Sequence, residues 1–358
     1  MNYERLAEFY ASVNLGPPAV LAWPLHGEAE ARRRRLESAF AANLGLHPPS
    51  GLEWMRLHKE VKYRPDKIVE GCQSILVSAL GCYRHDDAAR SARMIARVAR
   101  YARGRDYHRQ LGWRLRKIAK HLEAGLPDHR FRPFTDVGPL DERWLAEESR
   151  LGFTGRHTLT IHPRLGSWLV LGHIVSTYPF KGPPPSRSTT SCPARCRRCV
   201  DACPTAALSL PGRLDASRCV SYLSIEHPEA VESPLAEAVG DRLFGCDACQ
   251  EACPFNEQVK TTEVRGFLKD IAGAFLDPRE VLMLENHQDV IHRFAGSALT
   301  RAKRRGLVRN ACIVAGNSGD SSLTPILTGL TRDSDATIAT QARRAITRLE
   351  QAKPHRHP

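Results

Sequence analysis

Eight of the 11 cysteines of the chain lie within residues 191–254. They are Cys192, Cys196, Cys199, Cys203, Cys219, Cys246, Cys249 and Cys253. The spacing Cys-x₂-Cys-x₃-Cys-Pro occurs twice, first from Cys196 and again from Cys246. Runs of this kind hold cubane iron–sulfur clusters, and eight soft thiolates are sufficient for two of them. The spacing therefore predicts two [4Fe–4S] clusters.

The Cys-Pro ending of each run indicates how the thiolates divide between the clusters. In two-cluster ferredoxins, the cysteine before proline ligates the cluster of the other run. This rule gives one cluster to Cys192, Cys196, Cys199 and Cys253, and the other to Cys203, Cys219, Cys246 and Cys249. Three residues separate Cys192 from Cys196, where the usual run has two, so ligation by Cys192 requires a bulged loop.

Structural zinc is the main alternative interpretation of these cysteines, because paired Cys-x₂-Cys motifs also form zinc sites. Zinc does not account for the x₃-Cys-Pro ending in both runs, nor for a total of eight thiols. A disulfide framework is a second alternative. Residues 1–20 contain no apolar secretory segment, which favours a reducing, cytoplasmic compartment.

Composition limits the class of protein. The chain has 358 residues, which is enough for two or three domains, and no apolar run approaches the length of a transmembrane helix. Its 52 Lys and Arg residues exceed its 39 Asp and Glu residues, for a net charge of +13. A basic surface favours a polyanion, nucleic acid first, although solubility alone is the simpler explanation.

Strands and helices alternate in the first half of the chain. The predicted strands cover residues 74–80, 158–161 and 168–175. An amphipathic helix is predicted over 88–103, another begins after Asp106 as its N-cap, and a third covers 140–150. This mixture predicts an α/β layer domain over residues 1–178.

The second half of the chain has two parts. The Pro- and Ser-rich residues 179–191 predict a linker into a ferredoxin-like domain with two [4Fe–4S] clusters over 179–265. Consecutive short helices over 280–352 predict a HEAT-like helical repeat that docks on the preceding domain. The overall class is α+β multidomain. A predicted basic patch consists of Arg301, Lys303, Arg304, Arg305 and Arg309.

Several segments resemble the epoxyqueuosine reductases, which are cobalamin-dependent iron–sulfur enzymes of tRNA modification. The resemblance runs from about residue 54 to residue 349. It is carried by Tyr-x-x-Gly-Arg-Asp-Tyr-His-Arg at 101–109, Thr-Asp-x-Gly-Pro at 135–139, Leu-Gly-Phe-x-Gly at 151–155, Asp-x-x-Arg-Cys-x-Ser-Tyr-Leu-x-Ile-Glu-His at 215–227 and Phe-Gly-Cys-Asp-x-Cys-Gln at 244–250.

The resemblance implies a reaction and a fold. Residues 1–178 would form a cobalamin-binding domain similar to that of reductive dehalogenases, and the two clusters would pass electrons to cobalt. The epoxide of epoxyqueuosine at the tRNA wobble position would become the cyclopentenediol of queuosine. Asp136 would donate a proton, and burial against the corrin would raise its pKa.

The resemblance also assigns binding residues. Cobalamin contacts are expected at Tyr107, His108, Thr160, Leu171 and Ser221. Contacts with tRNA phosphates are expected at Arg218, Arg301, Arg304 and Arg305. The chain departs from the family at Arg156-His157, where Lys-Asn is common, and at His173, where an acidic residue is common. A monomer and an unidentified electron donor are further expectations.

Two other functions remain open at the level of sequence. One is a two-cluster, ferredoxin-type electron-transfer protein without cobalamin. The other is a corrinoid reductive dehalogenase of a small molecule, which the basic C-terminal helices and the absence of an export signal disfavour. Cobalt binding would distinguish the modifying enzyme from the ferredoxin-type protein. Salt-sensitive binding of tRNA would distinguish it from the reductive dehalogenase.

Metal content tests the cysteine interpretation directly. Chain purified without oxygen, reconstituted with iron, sulfide and hydroxocobalamin and then desalted should retain about eight irons and about one cobalt. Iron without cobalt would support the electron-transfer protein. Zinc that resists exchange for iron would contradict the prediction of clusters.

Overall fold

A computed structural model describes residues 1–45, 50–86, 95–183 and 191–351. Its strands are β1 (Ala19–Ala22), β2 (Ser74–Gly81), β3 (Ala96–Val98), β4 (Phe131–Phe134), β5 (Phe153–Thr154), β6 (Thr160–Ile161), β7 (Leu169–Ser176), β8 (Leu208–Ser209), β9 (Arg213–Leu214), β10 (Arg242–Phe244) and β11 (Phe275–Leu276).

Helices follow and separate these strands. They are α1 (Tyr3–Ser12), α2 (Gly27–Gly45), α3 (Tyr107–Gly125), α4 (Glu142–Glu148), α5 (Arg198–Asp201), α6 (Val220–Ile225), α7 (Leu235–Val239), α8 (Ala248–Glu251), α9 (Arg265–Leu268), α10 (Pro278–Leu282), α11 (His287–Phe294), α12 (Lys303–Ser318), α13 (Thr324–Leu330) and α14 (Ala336–Gln351). Short 3₁₀ turns cover Glu53–His58, Pro65–Lys67, Arg100–Ala102, Ala216–Arg218, Pro254–Asn256, Ala298–Ala302 and Ser321–Leu323.

A four-stranded sheet of order β1-β2-β7-β4 supports the N-terminal part, and each neighbouring pair is antiparallel. Strands β2 and β7 pair along their whole length, from Ser74 opposite Ser176 to Gly81 opposite Leu169. The strands predicted over 74–80 and 168–175 are therefore confirmed. The third predicted strand is reduced to β6.

Both faces of this sheet are buried, because successive side chains of a strand point to opposite sides. Leu76 packs with Leu115 of α3 in one apolar cluster. Its neighbour Ile75 packs with Trp144 of α4 in another. The sheet thus lies between helices, as the layer prediction requires. Strand β4 leads through a turn into α4, and this turn carries Asp136.

A second sheet has the order β10-β3-β11, with β3 in its centre. The helix predicted over 88–103 is wrong where the chain is described, because Ala96 and Val98 are fully buried in β3. Residues 88–94 of that prediction lie outside the described residues. The apolar–polar alternation of this strand covers only three residues. The Ala and Arg residues around it are equally typical of an amphipathic helix. Pairing with β10 and β11 selects the strand.

The C-terminal helices share a core with the second sheet. Leu307 and Ala311 of α12 belong to the same apolar cluster as Leu243 and Phe244 of β10. The prediction that these helices dock on the cysteine-rich part is therefore confirmed. Their HEAT-like character and the domain boundaries at 178 and 265 stay predictions, as does the linker, of which residues 184–190 lie outside the described chain.

Across the ranges that the structure describes, no helix is both long and apolar enough to cross a membrane.

Arg309 is an internal residue, so its predicted place in a surface patch is wrong. Its side chain is 1% exposed. The guanidinium donates to the carbonyl oxygens of Leu223 (2.5 Å) and Glu229 (2.9 Å), and also to that of His227. Burial lowers the pKa of Arg309 to about 10. Arg309 therefore connects α12 to the end of α6 through neutral acceptors.

Replacing Arg309 should destabilise the protein strongly. Arg309→Met leaves buried carbonyl groups without donors, and we expect the free energy of unfolding to fall by about 3 kcal/mol or more. Urea unfolding followed by circular dichroism measures the change. The control is Arg305→Met on the same helix, whose exposed ion pair with Asp335 contributes about 1 kcal/mol or less. Equal losses in the two variants would contradict this role.

Candidate active site

A largely apolar pocket joins the N-terminal part to the cysteine-rich part, with about 1580 Å³ of empty space, some of it open to solvent. It is lined by residues of β7, of the loop before β6, of α6 and of the segments around the cysteines. The lining includes five of the predicted site residues, which are Tyr107, Asp136, Thr160, Leu171 and Ser221. The tertiary structure therefore collects residues that are more than 100 positions apart.

Asp136 is held at this pocket by two side chains from the start of α3. Tyr107 Oη donates to Asp136 Oδ2 at 2.5 Å, and His108 Nε2 lies 3.0 Å from the same oxygen. The other ring nitrogen of His108 lies 2.8 Å from Asp106 Oδ1. Asp106 also caps α3 by accepting the backbone N–H of His108, which confirms its predicted N-cap role. His108 thus bridges two carboxylates.

The two carboxylates favour the charged imidazolium of His108. Burial lowers the pKa of His108, but hydrogen bonds to Asp106 and Asp136 raise it more, to about 9. Burial raises the pKa of Asp136, and the hydrogen bonds from His108 and Tyr107 outweigh that effect, so its net pKa is below the usual value. The predicted rise in the pKa of Asp136 depends on burial against the corrin and stays a prediction. The proton at neutral pH resides on His108.

Four of the eight clustered cysteines line the same pocket. They are Cys203, Cys219, Cys246 and Cys249. This is the set that the crossing rule assigned to one cluster. Cys246 follows β10, and Cys219 precedes α6, so pairing of β10 with β3 and packing of α6 bring these thiols to the pocket that Asp136 also lines.

The other four thiols form a separate group. Burial and, to a smaller extent, the nearby thiols of Cys192, Cys199 and Cys196 raise the pKa of Cys253 to about 11. Cys253 and Cys192 also share a small apolar cluster with Phe153. The long Cys192–Cys196 loop is therefore compatible with a common site. Its backbone is held by Arg156, which donates to the carbonyl oxygens of Ala194 (2.7 Å) and Cys196.

Buried polar atoms in the pocket wall are available to a bound molecule. Among the described residues, His157 Nε2 and Thr160 Oγ1 are buried and have no hydrogen-bond partner. His157 Nδ1 accepts the backbone N–H of Leu159 at 3.2 Å, so Nε2 carries the ring hydrogen and can donate. Burial lowers the pKa of His157 to about 4, which keeps it neutral. An apolar cavity with such donors fits a large cofactor whose rim carries amide groups.

A site for a single metal ion has less support than a site for a large cofactor. Within the described ranges, no group of three or more His, Cys, Asp or Glu side chains is arranged to hold one metal ion.

The predicted tRNA-contacting arginines differ in their surroundings. Arg218 is exposed, and its Nε donates to the Thr205 carbonyl oxygen at 3.0 Å. Arg301 is 55% exposed and pairs with Glu226 at 3.1 Å. Arg305 is similarly exposed and pairs with Asp335. Arg304 is only 16% exposed and forms an ion pair with Asp333, which favours a structural role.

Three residues of the site were not predicted from the sequence. Glu142 and Arg143 line the pocket beside Asp136, and the buried His173 lies next to Glu142. The sequence pattern places Glu142 only in the helix predicted over 140–150. Its spacing of six residues from Asp136 across a turn carries no recognisable pattern, whereas an acidic residue in the first turn of a helix is common.

Comparison with protein families identifies two matching regions. Residues 62–137 match the family described as epoxyqueuosine reductase QueG, DUF1730. Residues 192–256 match the 4Fe-4S double cluster binding domain. The second match spans all eight clustered cysteines, and it supports iron–sulfur clusters over zinc or disulfides.

Individual proteins agree with the family matches. The epoxyqueuosine reductase of Xanthomonas campestris pv. campestris is 36% identical over 276 residues, 75% of this chain and 76% of that protein. A crystal structure of an epoxyqueuosine reductase with an epoxyqueuosine-modified tRNA-Tyr stem loop has 25% identity and a TM-score of 0.84, covering 99% of this chain and 94% of that one.

A second similar structure has its catalytic loop outside the active site. It is an epoxyqueuosine reductase from Bacillus subtilis, with its catalytic aspartate loop swung out of the active site. It has 25% identity and a TM-score of 0.82, and the alignment covers 99% of this chain and 95% of that one.

The charge on His108 makes a pH-dependent contribution to stability. A raised pKa means that this contribution is complete below the usual histidine pKa, roughly 6.5, and is lost as pH rises through about 9. The free energy of unfolding of wild type should therefore exceed that of His108→Gln most at pH 6 and least near pH 10. Urea unfolding at several pH values measures this difference. A difference that does not change with pH would contradict the bridging imidazolium, and the exposed His121→Gln serves as control.

Proposed function

The chain belongs to the epoxyqueuosine reductase family, and from this premise we propose that it reduces epoxyqueuosine in tRNA to queuosine. The net reaction removes the epoxide oxygen as water and leaves a carbon–carbon double bond. It consumes two electrons and two protons. The observation that carries the proposal is that one pocket is lined both by Asp136, which Tyr107 and His108 hold, and by four thiols of the double-cluster segment.

We propose that two [4Fe–4S] clusters deliver the electrons. Cys203, Cys219, Cys246 and Cys249 would hold the cluster beside the pocket, and Cys192, Cys196, Cys199 and Cys253 would hold the one farther away. Support comes from the pocket lining, which contains the first set, and from the mutual proximity of the second set. An external donor would reduce the far cluster, and electrons would then move towards the pocket.

Cobalamin is the cofactor that we propose for the pocket. When bound, it would supply the strongly reducing centre that attacks the epoxide. Thr160, Leu171 and Ser221 line the pocket and would contact the corrin together with Tyr107. The unpartnered Thr160 hydroxyl and the His157 Nε2–H are suited to the amide groups at the corrin edge. His108 does not line the pocket and would act through Asp136.

The Asp136 cluster would supply the proton to the departing oxygen. Opening of the epoxide develops alkoxide charge, and a positioned acid increases the rate of such a step by roughly 10²–10⁴-fold. Asp136 Oδ2 would deliver a proton that His108 Nε2 holds at neutral pH. Bound cofactor and substrate would exclude water from Asp136. Loss of water disfavours the charged form of its side chain, and this would promote proton transfer from His108 to Asp136.

Phosphates of the tRNA anticodon stem loop would contact exposed arginines. A base that reacts inside a pocket must leave its stack, and backbone contacts position the rest of the RNA. Arg218, Arg301 and Arg305 are exposed enough for this role. Arg304 is the weakest of the four candidates, because Asp333 and the Leu284 carbonyl already occupy its guanidinium. The net charge of +13 agrees with a polyanionic partner in the cytoplasm.

Asp136→Asn tests this proposal. The amide preserves the shape of the side chain but cannot deliver a proton, so the single-turnover rate of epoxide reduction should fall by roughly 10²–10⁴-fold. Iron, cobalt and tRNA binding should remain at wild-type levels. The assay follows conversion of epoxyqueuosine to queuosine in tRNA by mass spectrometry.

The control for this test is Asp128→Asn, which changes an exposed carboxylate in a turn. Near-normal turnover by Asp136→Asn would remove Asp136 from the mechanism. Failure of the wild-type holoenzyme to convert the modified tRNA would overturn the proposed function itself.

A further inference from the structure

The backbone at Asp136 is strained. Its φ is +54°, in the left-handed region that residues other than glycine rarely adopt. The N–H of Val137 donates to the carbonyl oxygen of Thr135 at 2.6 Å, so Asp136 is the central residue of a three-residue turn. Turns of this kind with positive φ are rare and strained. Such a conformation persists only where surrounding contacts determine it.

Glu142 makes one of those contacts. Its Oε1 accepts the backbone N–H of Asp136 at 2.8 Å. Glu142 is the first residue of α4, whose Asp141 N-cap accepts the N–H of Trp144. The buried Trp144 anchors α4 in the core beneath the sheet. The acceptor for Asp136 therefore sits on a rigid element rather than on the loop itself.

A buried histidine lies behind Glu142. His173 is fully buried in β7, and its Nδ1 is 3.7 Å from Glu142 Oε1. Neither ring nitrogen of His173 has a hydrogen-bond partner within the described residues. The ring of Phe134, which immediately precedes the strained turn, stacks on His173 with a centroid distance of 5.3 Å. Burial raises the pKa of Glu142, and the neighbouring imidazole opposes that effect.

We propose that Glu142, oriented by His173, is a positioning residue that holds Asp136 at the pocket. The inference rests on the proposed function, because it assigns Glu142 to the same reaction. Tyr107 and His108 hold the carboxylate of Asp136, whereas Glu142 holds its backbone. Together they determine a conformation that the turn would not adopt alone. The Bacillus subtilis relative, with its catalytic aspartate loop swung out, shows that such a loop has a second position.

Hydrogen exchange of the Asp136 amide tests the contact without reference to activity. Glu142→Ala removes the acceptor, and loss of one hydrogen bond of about 1–2 kcal/mol should increase exchange at this amide roughly 5–30-fold. Mass spectrometry of the holoenzyme, with fragmentation that resolves residues 134–138, measures the rate. Glu147→Ala is the matched control, because Glu147 lies on the same helix and pairs with Arg32.

Measurement of turnover then distinguishes a positioning role of Glu142 from a role in folding. In Glu142→Ala the single-turnover rate should fall, while KM for tRNA and the iron and cobalt contents stay at wild-type levels. Glu142→Gln retains an oxygen acceptor and should recover part of both the protection and the rate. This variant also provides the test if Glu142→Ala does not fold.

Two results would overturn the role of Glu142. One is unchanged exchange of the Asp136 amide in Glu142→Ala, and the other is an equal increase in Glu147→Ala. His173→Phe should increase exchange less than Glu142→Ala, because it disturbs only the orientation of the carboxylate. If the wild-type protein did not reduce modified tRNA, the proposed function would fail, while the exchange comparison would still decide whether Glu142 holds the turn.

Discussion

The parallel pairing of β10 with β3 is the constraint on which the site depends. It places Cys246 and Cys249, which follow β10, beside the residues that follow β3. Between these cysteines, the buried Asp247 accepts the backbone N–H of Arg100 at 2.8 Å. The guanidinium of Arg100 lies over Trp168, 4.9 Å from the ring centroid, and contacts Glu251 at 2.6 Å. The pairing of β10 with β3 and the contacts of Arg100 together hold the cysteine-rich part in place at the pocket.

The pocket brings two requirements of reductive chemistry to one place. Thiols of the double-cluster segment, which would hold the source of electrons, line it together with Asp136, whose partner His108 would hold the proton. The lining of the pocket is mostly apolar, which limits water and strengthens the interactions of charges inside. A ferredoxin-type segment alone would need neither the apolar cavity nor the carboxylate, so the architecture favours an enzyme over an electron carrier.

In the proposed reaction, the proton that Asp136 donates would come from its hydrogen-bond partners rather than from its own carboxyl group. The carboxylate by itself is ionised in this arrangement, because His108 and Tyr107 both donate to it. Those same hydrogen bonds keep a proton within 3.0 Å of the reactive oxygen. Two acidic residues, Asp106 and Asp136, raise the pKa of the imidazole between them. In the proposed reaction, the residue that donates the proton and the residue that stores it would thus be different.

Local pattern in the sequence determined the thiol set, the cap of α3 and the long strands β2 and β7. Each depends on neighbours a few positions away, such as the Cys-x₂-Cys spacing or the Asp106 N-cap. Only the tertiary structure decided that Arg309 is internal and that residues 96–98 form a strand. It also decided that Glu142 supports Asp136. These features arise from long-range packing and desolvation, whose energies depend on partners distant in sequence.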